Sequence, residues 1–123
     1  MTYCNSGHNP PLLLRASGGF EELEAGGPVL GLLPSVSYQQ QRCRVEPGDL
    51  LALFSDGVVE AENPSGEELG KQRLGVLLAE QRDQPSEAVI EAVLRTACEW
   101  RAGAPAADDI TLVLVRRTHS AAP

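Results

Sequence analysis

The stretch Leu50 to Ala61, LLALFSDGVVEA, restricts the possible fold more than any other part of the chain. Leu50 to Phe54 is an unbroken apolar run that stops at Ser55, Asp56 and Gly57. A short apolar run with so abrupt an end reads as a buried strand. It closes on a carboxylate followed by glycine, the residue that lets a backbone turn sharply. A rigid strand fixes the direction of a carboxylate at its mouth, which suits holding a metal ion. A second such place lies near the other end of the chain, where Asp108 and Asp109 open the apolar run Ile110 to Val115. If the two strands are antiparallel neighbours, Asp56 and Asp108 meet at one edge of the sheet.

The intervening chain decides whether that meeting is possible. Thr2–Cys4 and Pro11–Arg15 read as strands flanking the turn residues Asn5 to Pro10, which predicts a hairpin. Ser17-Gly18-Gly19 marks a second turn before a weak strand over Phe20–Glu24. Val29, Leu30, Leu32 and Leu33 alternate with glycines and prolines, and are expected to pin a loop to the core. Val36–Val45 is long enough for a strand with one wet face, and Pro47-Gly48-Asp49 is expected to turn it into an antiparallel pair with Leu50–Phe54. Leu74, Leu77 and Leu78 recur at helical spacing within Leu69–Glu80. A second helix starts near Pro85-Ser86, buries Val89, Val93, Leu94 and Ala97, and stops at Gly103 and Pro105. Strands, then two helices, then a last strand indicate an α+β fold with antiparallel sheet, not a doubly wound parallel one.

The 123 residues suffice for one domain, and with 4% aromatics the core must be built from Leu, Val, Ile and Ala. The net charge of -7 argues against a nucleic-acid binder or an anionic membrane surface as partner, and suits a site that recruits divalent cations. Cys4, Cys43 and Cys98 are too few and too scattered for a disulfide framework or a zinc site. They fit a reducing, cytoplasmic setting. No apolar run reaches bilayer length, and the first ten residues lack the pattern of a signal peptide.

Magnesium and manganese take hard oxygen ligands, commonly one or two carboxylates with several waters. A cation between two carboxylates offsets their repulsion and keeps both ionised. The plainer reading is that an Asp before Gly is a turn residue and an Asp before a strand a solvated cap. His8 sits in a turn, with a structural or site-rim role. Ser55 lacks the histidine and acid partners of a nucleophile. Glu60, Glu62, Glu67 and Glu68 form a solvated acidic flank, and Trp100 covers an edge of the core.

Four motifs in order, GHNPPLLLR, GPVLGLLP, VEPGDLLALFSDGVVEAENPSGEELG and AADDITLVLVRR, cover most of the chain. Together they resemble the C-terminal part of the SpoIIE-like branch of the metal-dependent PPM protein serine/threonine phosphatases. That resemblance implies a β-sandwich of antiparallel sheets flanked by helices, here a partial one over residues 1–117 with a disordered tail over 118–123. It implies two Mn2+ or Mg2+ ions in the complete domain, with Asp56 and Asp108 as metal ligands and Gly57 and Asp109 as supporting residues. It implies further that no protein side chain acts as nucleophile and that water on the metals attacks phosphorus directly. The implied substrate is a phosphoserine or phosphothreonine protein, of the anti-sigma-factor antagonist type in bacterial relatives.

One departure is large. The family carries further ligands in an N-terminal motif of the type Asp-x-x-Gly-His-Gly, and nothing like it occurs here; Gly7-His8 has no Asp before it. The chain therefore reads as the back half of a phosphatase domain. Half a sandwich predicts exposed apolar surface or self-association. The alternative is a non-catalytic regulatory or protein-binding module derived from that phosphatase.

Overall fold

The computed structural model describes residues 1–119, so the expected tail lies outside the described residues from 120 onward. The elements in chain order are β1 (Thr2–Tyr3), β2 (Asn5–Ser6), β3 (Leu12–Leu14), β4 (Phe20–Glu22), β5 (Gly26–Gly27), β6 (Gln41–Arg42), β7 (Leu50–Phe54), α1 (Asp56–Val59), α2 (Gly70–Gln81), α3 (Ser86–Trp100) and β8 (Leu112–Arg116). The main sheet has four strands in the order β4-β3-β7-β8, and every neighbouring pair is antiparallel. Among the described residues no helix is long and apolar enough to cross a membrane.

Strand β7 sits in the middle of this sheet because both of its faces are apolar. Leu50, Ala52 and Phe54 point to the helical side, where they join Leu12 and Leu14 of β3 in a single core. That core is closed by Val58 and Val59 of α1, Leu74 and Leu78 of α2, and Val89 and Val93 of α3. Helix α2 comes so near the sheet that a side chain on Gly75 would meet the Phe20 ring at 2.3 Å. The opposite face follows from the two-residue alternation of the strands. Leu13, Leu51 and Val115 are cross-strand partners on it, as are Leu53 and Val113. Leu13 is buried there, Leu51 and Leu53 are half-covered, and Val113 and Val115 remain 48% and 52% exposed.

The turn before β7 follows from its residues. Pro47 and Gly48 occupy its centre, Gly48 has φ +89°, and Asp49 N–H donates to Glu46 O at 3.0 Å. This is the turn that proline followed by glycine favours. The Asp49 carboxylate is buried beside it. It accepts from the amides of Ala16 and Glu46 and from the Arg15 guanidinium, each at 2.8 Å. Burial pushes its pKa up, but the two amides and Arg15 outweigh that and hold it below the usual carboxylate value.

Several expectations are corrected. The first strands form no hairpin: β1 pairs with β6, while β3 pairs with β4 and β7. The Asn5 side chain closes on His8 and folds 5–9 into a compact loop, and the all-leucine β3 reaches full burial only between two strands. Val36–Val45 shrinks to the two-residue β6, so it is not the partner of β7. Its polar side chains gain nothing from a central position, whereas Leu12–Leu14 does. The loop leucines do not pin the loop to the core: Val29, Leu30, Leu32 and Leu33 are all exposed. In α3, Leu94 is exposed and Ala92 takes its place on the buried face with Val89, Val93 and Ala97. The helix ends at Trp100, and the left-handed residue that closes it is Ala102 at φ +52°, one before Gly103. Ala102 N–H bonds to Glu99 O and Gly103 N–H to Cys98 O, which is the Schellman closure normally made with glycine at that position.

Candidate metal centre

Strand β8 returns after both helices and pairs along the whole of β7, from Leu50 opposite Arg116 to Phe54 opposite Leu112. The residue that ends β7 and the residues that open β8 therefore lie at one end of the ladder. Ser55 ties that end together. Its amide donates to Thr111 O at 3.0 Å, its hydroxyl donates to Asp109 O at 3.0 Å, and the same oxygen accepts from Thr111 N–H at 2.9 Å. Gly57 lies against the same segment. A Cβ there would sit 2.4 Å from Asp109 O and 3.1 Å from Asp108 O. Glycine is needed at 57 for close approach of two backbones, not for an unusual φ.

Asp56 opens the single helical turn α1, which Glu60 N–H closes on Asp56 O at 2.8 Å. Asn9 Nδ2 donates to Asp56 Oδ1 and so fixes the rotation of that carboxylate. Asp108 Oδ1 accepts from Asp109 N–H at 2.7 Å. Both acids are solvent-exposed. The negative charge of Asp56 raises the pKa of nearby Glu60, helped by desolvation, Glu68 and Asp108. Carboxylates therefore accumulate at this end of the sheet. Beside them opens a cavity of about 320 Å³, lined among others by Gly57, Glu60, Glu62, Glu68, Arg101 and Asp108; Asp56 does not line it.

The donor chemistry is that of magnesium or manganese: hard carboxylate oxygens, with no thiolate or imidazole among them. The number of donors is small. Among the described residues, no three His, Cys, Asp or Glu side chains are grouped to hold one ion. The residues present thus fit such a cation in kind.

The other singled-out residues have structural explanations. The backbone of Asp109, rather than its carboxylate, is what Ser55 holds. The His8 ring contacts Asn9 O at 2.9 Å, so it stabilises the loop that delivers Asn9. The three cysteines are free. Trp100 packs on Ala61, Leu69 and Ala97, lies 4.6 Å from the Arg73 guanidinium, and donates from Nε1 to Glu67 O at 2.9 Å. Asn9 and the bridging role of Ser55 escape a reading of the sequence, because each acts through a partner more than forty positions away in the chain.

The family model described as stage II sporulation protein E (SpoIIE) matches residues 1–118. Protein IcfG of Synechocystis sp. is 29% identical over 117 residues, which are 95% of this chain and 18% of that protein. The phosphoserine phosphatase RsbU of Bacillus subtilis is 31% identical over 117 residues, 94% of this chain and 34% of that protein. The chain thus spans well under half the length of both relatives. In fold it is similar to the solved PP2C phosphatase domain, with a fragment of the regulatory domain, of the cell fate determinant SpoIIE from Bacillus subtilis. The TM-score is 0.74 at 22% identity, over 94% of this chain and 33% of that one. The α+β arrangement with antiparallel sheet is therefore part of a PPM phosphatase fold, and the chain belongs to the SpoIIE family.

Proposed function

We propose that the chain is the C-terminal portion of a metal-dependent phosphoprotein phosphatase domain acting on phosphoserine or phosphothreonine. The observation that carries this reading is the β7–β8 register, which brings Asp56 and Asp108 to the same end of the sheet. The two carboxylates would hold Mn2+ or Mg2+, with Asn9 orienting Asp56 and the Asp109 amide orienting Asp108. A divalent cation supplies Lewis-acid polarisation of a phosphoryl group and lowers the pKa of water. Gly57 and Asp109 support the site through their backbones, by close contact and by the Ser55 bridge. The likeness to the phosphoserine phosphatase RsbU supports a phosphoserine substrate; the resemblance to the SpoIIE-like phosphatases implies a protein of the anti-sigma-factor antagonist type.

One observation favours the second reading, a non-catalytic regulatory module. The described residues group no three His, Cys, Asp or Glu side chains around one point. Phosphate release from a phosphoserine peptide, measured with Mn2+ and with chelator, separates the two. Release confined to the Mn2+ sample supports the phosphatase. A flat trace from folded protein in both samples supports the module.

A further inference from the structure

Residues 25–41 carry no charge, in a chain whose net charge is -7. Within them Leu30 and Leu32 are each 69% exposed, and Val29 and Leu33 beside them are more than half exposed. Large apolar side chains gathered on a surface mark a binding face, because water solvates them poorly. The loop that carries them has a fixed shape. It leaves β5, which pairs with β2, and Gln39 N–H donates to Gly26 O at 3.1 Å across its base. It turns on Gly31 at φ +80°, with Leu32 N–H donating to Val29 O at 3.3 Å. It is also attached to the candidate metal centre. Gly7, at φ +85°, lies so close to Val29 that a side chain there would overlap it. Gly7 belongs to the loop whose Asn9 donates to Asp56.

The sheet order decides which side of the metal centre this is. Strand β7 lies between β3 and β8, so Asn9, at the entry to β3, flanks Asp56 on one side and Asp108, at the entry to β8, flanks it on the other. Beyond Asp108 the cavity adds Glu60, Glu62 and Glu68, whose charge repels a phosphorylated segment. Beyond Asn9 come Gly7 and then the uncharged loop. An anionic segment reaches the cation with least repulsion over that second side. We infer that residues 29–33 are the docking surface for the phosphoprotein substrate, receiving apolar side chains that flank its phosphoserine while the phosphoryl group lies at Asp56 and Asp108. The inference rests on the reading of those two carboxylates as cation ligands. Apolar contact supplies affinity that an acidic surface cannot give an anion, and it selects apolar over acidic sequence around the phosphoserine.

The test is an NMR titration of the isotope-labelled chain with Mg2+ and then with either of two phosphoserine peptides, one flanked by leucines and one by glutamates. Mg2+ should move the backbone amides of Gly57 and Asp109. The leucine peptide should then shift the amides of Leu30, Gly31 and Leu32 saturably, and bind about tenfold more tightly than the glutamate peptide. Leu30→Ser combined with Leu32→Ser, both at exposed positions, should keep the amide dispersion and the Mg2+ response and weaken the leucine peptide about tenfold. The leucine peptide without its phosphate should bind more weakly, and equal binding would overturn the assignment. If Mg2+ acts as expected but the leucine peptide leaves the loop amides in place, or binds the double variant equally well, the docking assignment is wrong and the metal site stands. If Mg2+ moves neither amide, the metal site itself is wrong and the docking assignment falls with it. A dimer in sedimentation that the double variant abolishes, with no peptide shift in the loop, would show that the loop holds a second copy of the chain instead.

Discussion

Gly57→Ala tests whether the two strand ends are as close as the structure has them. Gly57 lies in the helical turn α1 with an ordinary φ, so local propensity favours alanine. Less freedom in the unfolded chain would by itself stabilise the variant by about 0.4–1 kcal/mol. Packing acts in the other direction. The added methyl would stand 2.4 Å from Asp109 O, a backbone atom that cannot rotate away. Relieving that overlap pushes 108–109 off α1 and strains the Ser55 bridge, and overpacking of this kind costs about 1–3 kcal/mol. The packing term wins, leaving a net loss of about 1–2 kcal/mol. For 123 residues, 1 kcal/mol corresponds to about 4 °C in Tm. The expected fall is therefore about 4–8 °C by calorimetry, accompanied by weaker Mn2+ binding. An unchanged or raised Tm with unchanged metal affinity would show that Gly57 does not pack against the Asp108–Asp109 backbone.

Three further outcomes follow from single contacts. Asp49→Asn should lower stability at pH 7 by about 3 kcal/mol in urea unfolding, since it turns a buried carboxylate with three donors into a mismatched amide. The folded pKa of Asp49 lies below its unfolded value, so its contribution is complete above about pH 4 and fades as pH falls through the depressed folded value. The gap between wild type and Asp49→Asn should therefore narrow below about pH 4; a gap independent of pH would contradict that origin. Ala102→Gly should raise Tm by about 4 °C, because it removes roughly 1 kcal/mol of left-handed strain at the end of α3. Gly75→Val should lower Tm by several times that amount, since its side chain would occupy the place of the Phe20 ring.

What was legible in the chain depended on how local its cause is. Leu50–Phe54 is a strand in the sequence and in the structure, because one of its faces is buried and the other half-covered, which leaves an unbroken apolar run. Helices α2 and α3 were likewise visible in their spacing, apart from the exchange of Leu94 for Ala92 on the buried face. The antiparallel return of β8 could be reasoned from element order, and with it the position of Asp56 and Asp108 beyond the same end of the β7–β8 ladder. The pairing of the first strands could not, because β1, β2, β5 and β6 have two residues each and little side-chain pattern to set a register. Asn9 was hidden for another reason. A turn asparagine is an ordinary residue until the fold sets it on the Asp56 carboxylate.

The most direct measurement is Mn2+ binding followed by electron paramagnetic resonance in the wild type, Asp56→Asn, Asp108→Asn and the double variant. Shared coordination predicts that either single substitution weakens binding at least tenfold and that the second adds little to the first. Wild-type affinity retained in either single variant, or losses that simply add, would mean that the two carboxylates do not hold one ion.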